Sequence, residues 1–275
     1  GYTLRAAAAG LTSGISSTFA VTAGTAAKLA VVAQPSAATA GAAMTPAVQV
    51  AVQDAQGNTV TSSTASITLA ITSGTGVAGA TLGGTRTRAA VSGVAAFADL
   101  TLDKAGTGYT ITASATGFAA GTSVPFAVRH GPARSLVAVS GNGQTGPAAS
   151  ALPAPFVVAV RDSLGNGVDS ARVAFRVTVG GGKLAGQDSQ VVFTDTLGTA
   201  SATLTLGATT ATNTVTATSA GLTGSPVTFT ATIVPASVTI TPAGATLTGV
   251  GSTTTLTAQA FDSVGNTISG VAFTW

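Results

Sequence analysis

The sequence of 275 residues contains no cysteine and no glutamate, and charged side chains make up only 7% of it. The absence of cysteine excludes disulfide bonds and thiolate metal sites. Because so few groups titrate, a net charge of +3 is enough to give a pI of about 9.8. Nucleic-acid-binding proteins carry a clustered basic stripe, whereas the densest basic groups here are Arg86 with Arg88 and Arg129 with Arg134. We therefore expect no nucleic-acid partner.

Long apolar runs and aromatic residues are also scarce. No run of 18 uninterrupted apolar residues occurs, so we expect no membrane contact from this segment. One tryptophan and two tyrosines are few for the exposed aromatic platforms of carbohydrate-binding modules.

Groups that carry catalysis are equally sparse. The single histidine, His130, has no evident aspartate partner in the sequence, and we interpret it as a solvated linker residue. Glycoside hydrolysis needs two carboxylates that are close in space, and Asp99 and Asp103 are candidates because they are close in sequence. The simpler interpretation is that both are exposed charges at strand ends. We therefore expect no catalytic residue, no metal site and no cofactor.

The chain does contain a five-residue phrase, Asp-x-x-Gly-Asn, that occurs three times. The copies begin at Asp54, Asp162 and Asp262, and each follows an alternating apolar run. Repetition at a nearly fixed period indicates an array of one structural unit. A unit of about 100 residues with alternating strands and turn signals is the size of a β-sandwich domain. The sequence therefore predicts an all-β fold of tandem sandwiches arranged end to end.

The residue types of the phrase predict a tight turn. Aspartate accepts hydrogen bonds from nearby backbone N–H groups, glycine tolerates positive φ, and asparagine also visits that region. Asp195-Thr-Leu-Gly198 is interpreted as a further turn of this kind. Calcium is the functional alternative, but Asp54 and Asn58 would supply only two of the six to eight oxygen ligands required. We assign structural turns to Asp54, Gly57, Asn58, Asp162, Gly165, Asn166, Asp262, Gly265 and Asn266.

Self-alignment divides the chain into four segments. Residues 1–22 match the end of the first complete repeat at an offset of 107 and are interpreted as the last strands of a repeat whose front is absent. Complete repeats are predicted over 26–128 and 131–234, and residues 236–275 are predicted to be the first strands of another repeat. The chain is thus expected to be a piece of a longer protein, with short proline-containing linkers that favour semi-rigid stacking.

Three details of the repeats can be predicted. In the first complete repeat, residues 85–91 and 95–102 are expected to form a hairpin about Ser92-Gly93. Tyr109 is expected to form a tyrosine corner, with its ring in the core and its hydroxyl bonded to backbone. Trp275 follows the third turn, where sandwich domains often bury a large aromatic side chain.

More specific motifs point to a family. In the second complete repeat they are Gly143-Gln144, Leu152-Pro153-Ala154-Pro155, Gly180-Gly181-Gly182, Gly198-Thr199-Ala200 and Asn213-Thr214-Val215-Thr216-Ala217. With these motifs the chain resembles bacterial immunoglobulin-like repeats of large surface and secreted proteins. The second complete repeat is similar to the stalk repeats of invasin and intimin.

The resemblance implies a structural spacer or stalk in a bacterial cell-surface or secreted adhesin-like protein. Its partners would be the neighbouring immunoglobulin-like repeats of the same chain. In invasin-like proteins a terminal module binds the receptor, and no such module is visible here, so a host-surface or glycan partner stays open. Two alternatives remain: accessory carbohydrate- or receptor-binding domains of a secreted enzyme or adhesin, and a structural protein of a phage or filament.

Overall fold

The chain forms β-strands along its whole length and contains no helix. This confirms the all-β prediction. The computed structural model describes residues 1–275, which contain 27 strands. None of its elements is a helix with the length and apolar character needed to cross a membrane. The chain divides into two units, residues 1–129 and residues 130–275.

The first unit contains fourteen strands. In chain order the strands are β1 (Arg5–Ala6), β2 (Gly14–Ile15), β3 (Lys28–Ala33), β4 (Ala38–Thr39), β5 (Val48–Gln53), β6 (Ser66–Ile71), β7 (Leu82–Gly83), β8 (Thr87–Ala89), β9 (Val94–Phe97), β10 (Thr101–Leu102), β11 (Gly106–Tyr109), β12 (Ile111–Ser114), β13 (Gly121–Thr122) and β14 (Phe126–Arg129). In the complete repeat, one sheet has the order β3-β5-β9 and another has the order β13-β12-β6-β8. The repeat also contains the sheets β11-β14-β4 and β10-β7.

Alternation along the central strands builds the core of this repeat. Val48, Val50 and Val52 of β5 are fully buried, as are Ile67 and Leu69 of β6 in the other sheet. All five belong to one apolar cluster. Because successive side chains of a strand point to opposite faces, this pattern requires two sheets that bury one face each, which is the immunoglobulin-like sandwich.

The prediction that residues 85–102 form a hairpin is wrong. The turn exists, with positive φ at both Ser92 and Gly93, but its arms separate after a single bridge. Strand β8 pairs with β6, whereas β9 pairs with β5 in the other sheet. Ala90 on one arm and Phe97 on the other are both buried, so each arm covers the core from its own sheet.

The second unit contains thirteen strands. Its complete repeat has the sheets β15-β17-β21 and β16-β24-β23-β18-β20, with a small pair β19-β22. The rings of Phe156 and Phe229, one from each sheet, stack at 4.7 Å between centroids. In chain order the strands are β15 (Ser135–Ser140), β16 (Gln144–Gly146), β17 (Phe156–Arg161), β18 (Arg172–Val179), β19 (Lys183–Leu184), β20 (Ser189–Phe193), β21 (Thr199–Ala202), β22 (Leu204–Thr205), β23 (Thr212–Thr218), β24 (Val227–Ile233), β25 (Ser237–Thr241), β26 (Thr257–Phe261) and β27 (Thr267–Ile268).

Residues 236–275 form one three-stranded sheet, β25-β26-β27. Trp275 lies outside its strands and is 73% exposed. The expectation that this tryptophan is buried is therefore wrong. The physical reason is that these residues form a single sheet, with no second sheet of the same repeat to cover the ring.

The tyrosine corner is confirmed. The Tyr109 side chain is fully buried, its ring lies 6.0 Å from that of Phe126, and its hydroxyl donates to the carbonyl oxygen of Lys104 at 2.8 Å. Gly76 provides the space, since a Cβ atom at that position would lie 2.2 Å from the ring.

Replacing Tyr109 with phenylalanine should lower the free energy of unfolding of the first complete repeat by about 1 kcal/mol, because the Lys104 carbonyl loses its buried donor. Denaturant unfolding followed by circular dichroism measures this. Tyr2→Phe is the matched control, because Tyr2 is 61% exposed. Equal unfolding midpoints for the two variants would show that the corner contributes no stability.

Candidate functional site: the aspartate turns

The first copy of the phrase folds around the carboxylate of Asp54. Its Oδ1 accepts hydrogen bonds from the backbone N–H groups of Gln56 at 3.0 Å and Asn58 at 2.8 Å. Its Oδ2 accepts from the Asn58 side-chain amide at 2.9 Å. Gly57 has a φ of +93°, which a residue with a Cβ atom adopts only with strain. Each specified position of the phrase therefore has a definite role in the turn.

The other two copies repeat this geometry. Asp162 accepts from the backbone of Leu164 and from the backbone and side chain of Asn166, at 2.8 to 2.9 Å. Asp262 accepts from the backbone of Val264 and from the backbone and side chain of Asn266, at 2.7 to 2.9 Å. Their glycines, Gly165 and Gly265, also have positive φ.

In two copies the same carboxylate binds a distant part of the chain. Asp54 Oδ2 accepts from the backbone N–H of Gly24, and Asp162 Oδ2 accepts from that of Gly131, both at 2.8 Å. Sequence reasoning missed this contact. A signal was present, because each glycine stands four residues before the first strand of its repeat, whereas Ile233 holds that place before β25. The turn aspartate thus anchors the segment that leads into each complete repeat.

These hydrogen bonds favour the ionised carboxylate. The side chain of Asn58 and then the N–H of Gly24 lower the pKa of Asp54 to about 2. At Asp162 burial raises the pKa, but the hydrogen bonds from Asn166, Gly131 and Leu164 outweigh it, so the net pKa is lowered. The pKa of Asp262 is lowered chiefly by the Asn266 side chain. All three aspartates are therefore ionised acceptors at neutral pH.

The Asp195 turn is a fourth member with threonine in place of asparagine. Asp195 Oδ1 accepts from the backbone of Leu197 and Thr199, and Oδ2 accepts from the Thr199 hydroxyl at 2.7 Å. This turn packs on the Asp162 turn so closely that a Cβ atom on Gly167 would lie 2.1 Å from the Leu197 carbonyl oxygen. The two turns therefore support each other through direct backbone contact.

His130 is not the solvated residue that the sequence suggested. Its Nδ1 lies 2.7 Å from the carbonyl oxygen of Gly131, and its Nε2 lies 3.1 Å from Asp169 Oδ1. Both ring nitrogens face acceptors, and only the doubly protonated ring can donate to both. The Gly131 carbonyl and then Asp169 raise the pKa of His130, whereas burial opposes them. When it is protonated, His130 therefore fastens the same segment that Asp162 anchors.

The two carboxylates that are close in sequence, Asp99 and Asp103, have separate partners. Asp99 accepts from Thr85 and pairs with Arg88 at 3.3 Å, whereas Asp103 accepts from Thr81. No group of three or more histidine, cysteine, aspartate or glutamate side chains has a metal-binding arrangement. A calcium ion at Asp54 and Asn58 would have to displace the hydrogen bonds that form the turn.

Comparisons with known proteins give structural matches only. No family model and no curated protein sequence matches the chain. Among solved structures, it is similar to invasin, a bacterial integrin-binding protein, at 23% identity over 89% of this chain and 48% of that chain, with a TM-score of 0.40. InvD of Yersinia pseudotuberculosis matches at 17% identity over 88% of this chain and 71% of that one, with a TM-score of 0.44. A β-glycosidase of Bacteroides vulgatus matches at 12% identity over 74% and 24%, with a TM-score of 0.32. The chain spans about half the length of the invasin structure.

The anchoring role of the turn can be tested by comparing two copies within the chain. Asp162→Ala should lower the free energy of unfolding of the second complete repeat by about 2 kcal/mol or more, because it leaves several donors without an acceptor. Asp262→Ala is the matched comparison, because Asp262 has the same turn but binds no leading segment. Amide hydrogen exchange at Gly131 should accelerate only in Asp162→Ala. Unchanged exchange at Gly131 in that variant would contradict the anchoring role.

The His130 contact predicts a dependence of stability on pH. A group whose pKa is raised on folding stabilises the fold fully below its unfolded pKa, which is about 6.5 for histidine, and this stabilisation is lost as the pH rises through the folded pKa. The melting temperature of the second complete repeat should therefore fall as the pH rises above 6.5. His130→Gln should flatten this dependence of the melting temperature on pH. An equal dependence in the wild-type chain and the variant would show that the His130 contact does not cause it.

Proposed function

We propose that this chain is a structural spacer of a bacterial cell-surface or secreted adhesin-like protein, which holds other modules apart and carries out no catalysis. The proposal is supported by the immunoglobulin-like repeats and above all by one junction in the second unit. There, backbone hydrogen bonds and a shared apolar cluster join a complete repeat to the segment that follows it.

The junction is formed by the loop before β23 and the residue after β27. The N–H of Ala211 donates to the Ser269 carbonyl at 2.8 Å, and the N–H of Ser269 donates to the Thr209 carbonyl at 2.7 Å. The Ser269 hydroxyl donates to the same Thr209 carbonyl at 3.0 Å. Thr210 and Ser269 thereby form a parallel bridge. Backbone pairing of this kind fixes direction as well as distance, as a stiff spacer requires.

Apolar packing continues across the same junction. Ala260 and Ile268 are buried in the apolar cluster of the second complete repeat, and Val271 and Phe273 pack against it. Exposing a side chain such as Ile268 to water costs about 1.5–3 kcal/mol. Bending at this junction is therefore opposed by lost burial as well as by broken hydrogen bonds.

The outer face of the five-stranded sheet also suits a spacer. Alternate positions of β23 and β24 are exposed or half-buried threonines, which carry hydroxyl groups but no charge. Because interactions between exposed charges weaken with salt, the uncharged outer surface of these two strands adds no dependence of stability on ionic strength. These residues are Thr212, Thr214, Thr216, Thr218, Thr228, Thr230 and Thr232.

The junction provides the test. Ile268→Ala should weaken the attachment of residues 236–275 by about 2–4 kcal/mol. In single-molecule stretching of the full chain, those residues should then detach at a lower force, as a separate early step. Ile240→Ala is the matched control, because Ile240 of β25 is 49% exposed.

Two results would contradict the spacer role. One is a wild-type chain in which residues 236–275 already extend at negligible force, since such a junction would transmit no load. The other is specific, saturable binding of the isolated chain to a glycan array or to host cells, which would make these repeats a binding module.

A further inference from the structure

Strand β20 is an open edge of the second unit. It pairs with β18 on one side and is the last strand of its five-stranded sheet. An open cavity of about 270 Å3, lined in part by Gln190 and Ser201, borders this strand. Two of its side chains are large, apolar and exposed: Val191 at 46% and Phe193 at 62%. The strand therefore presents both backbone and apolar side chains to solvent.

The register shows which backbone groups are unpaired. The N–H of Val177 donates to the Asp188 carbonyl, so in the β18–β20 register the hydrogen-bonded positions of β20 are Gln190 and Val192. The alternate positions, Ser189, Val191 and Phe193, direct their N–H and C=O groups to the free side. The exposed side chains and the unpaired backbone groups thus belong to the same three residues.

Three other edge strands of the complete repeats, β3, β15 and β8, are protected. Leu29 of β3 donates to Ala119, Leu136 of β15 donates to Thr223, and both strands contain a bulge. The edge strand β8 is three residues long and carries Arg88. Covering segments, bulges, short length and charge are the usual means of preventing edge-to-edge pairing. Strand β20 has five residues, no charge, no proline and no bulge in its pairing with β18.

We propose that β20 is a self-association surface, on which β20 of a second copy of this chain adds in antiparallel orientation about Val191. In this arrangement Val191 lies opposite Val191 of the second copy, and each Ser189 lies opposite the Phe193 of the other. All three unpaired positions then become hydrogen-bonded pairs, each of which exchanges two backbone hydrogen bonds.

The side chains around the strand favour a second copy over an unrelated partner. Phe193 of one copy lies opposite the small Ser189 of the other copy. The cross-strand neighbour of that Ser189 on β18 is Arg176. The Phe193 ring therefore comes within reach of the Arg176 guanidinium group of the other copy. Arg172, the neighbour of Phe193, would lie three strand spacings from that Arg176, about 14 Å. This exceeds the Debye length of about 8 Å at physiological salt, so the two arginines repel little.

The contact is expected to be weak. Pairing of two five-residue edges buries far less than the roughly 1,200–2,000 Å2 of a stable interface. A weak contact becomes effective when many chains are held close together, because tethering raises the local concentration. Self-association through β20 would thus join neighbouring chains laterally, and it does not depend on the spacer role.

A charge-swap experiment tests both the contact and its register. Sedimentation velocity of the wild-type full chain should show reversible dimerisation between about 10 μM and 1 mM, the range for a small interface. Val191→Lys and Val191→Glu should each weaken dimerisation at least about tenfold, because like charges would lie directly opposite each other. An equimolar mixture of the two variants should restore it. Val139→Lys, at a 53% exposed position on β15, should leave dimerisation unchanged.

Because the chain has no cysteine, a single cysteine provides a second measurement. Paired Cα atoms about 5.5 Å apart lie within disulfide range, so Val191→Cys should form a covalent dimer on mild oxidation, far faster than Val139→Cys. A monomeric wild-type chain at about 1 mM, equal effects of Val191→Lys and Val139→Lys, or no rescue on mixing would each overturn the proposal. Binding of an unrelated extended peptide to a chain that stays monomeric would also overturn it.

Discussion

The carboxylate of the turn aspartate is the group on which each complete repeat depends. A buried charge is costly unless hydrogen bonds replace its lost hydration, and Asp54 and Asp162 each receive four. Three donors come from the turn, and the fourth comes from the segment leading into the first strand. Because the pairs Lys28–Gln53 and Ser135–Arg161 lie beside these turns, the same carboxylate closes the end of the first strand pair and fixes its register.

The third copy shows that the turn can form without the anchor. Asp262 keeps the three local donors, but the segment before β25 is held differently: the N–H of Val234 donates to the Gly146 carbonyl. Residues 236–275 instead contact the preceding repeat through Ser269 and buried Ile268. The phrase is therefore a property of the fold, whereas the anchor occurs only in the two repeats where a glycine stands four residues before the first strand. The same turn accordingly serves two different kinds of connection.

Alternation and turn chemistry predicted the strands but not their distribution between sheets. The Asp195 turn was predicted and found, because it depends on neighbouring residues. The separation of β8 from β9 could not be predicted, since alternation shows which side of a strand is buried but not which sheet it joins. The anchor at Gly131 and the contact of His130 with Asp169 were missed because they link residues 31 and 39 positions apart. One partner in the first of these contacts is a backbone N–H, and the sequence marks its position only through the glycine four residues before the first strand.

The scarcity of charge bears on how the complete repeats protect their edge strands and on why β20 is left open. With 7% charged residues, the chain cannot place a lysine on every edge strand, so it relies on backbone devices. In both complete repeats a late loop covers the first strand, where the carbonyl of Ala119 or Thr223 accepts a backbone hydrogen bond from it, and a bulge interrupts the rest of that strand. No loop has this position beside β20, because the chain leaves β20 through the Asp195 turn toward β21 in the other sheet. The same crossover that completes the sandwich therefore leaves one side of β20 unpaired.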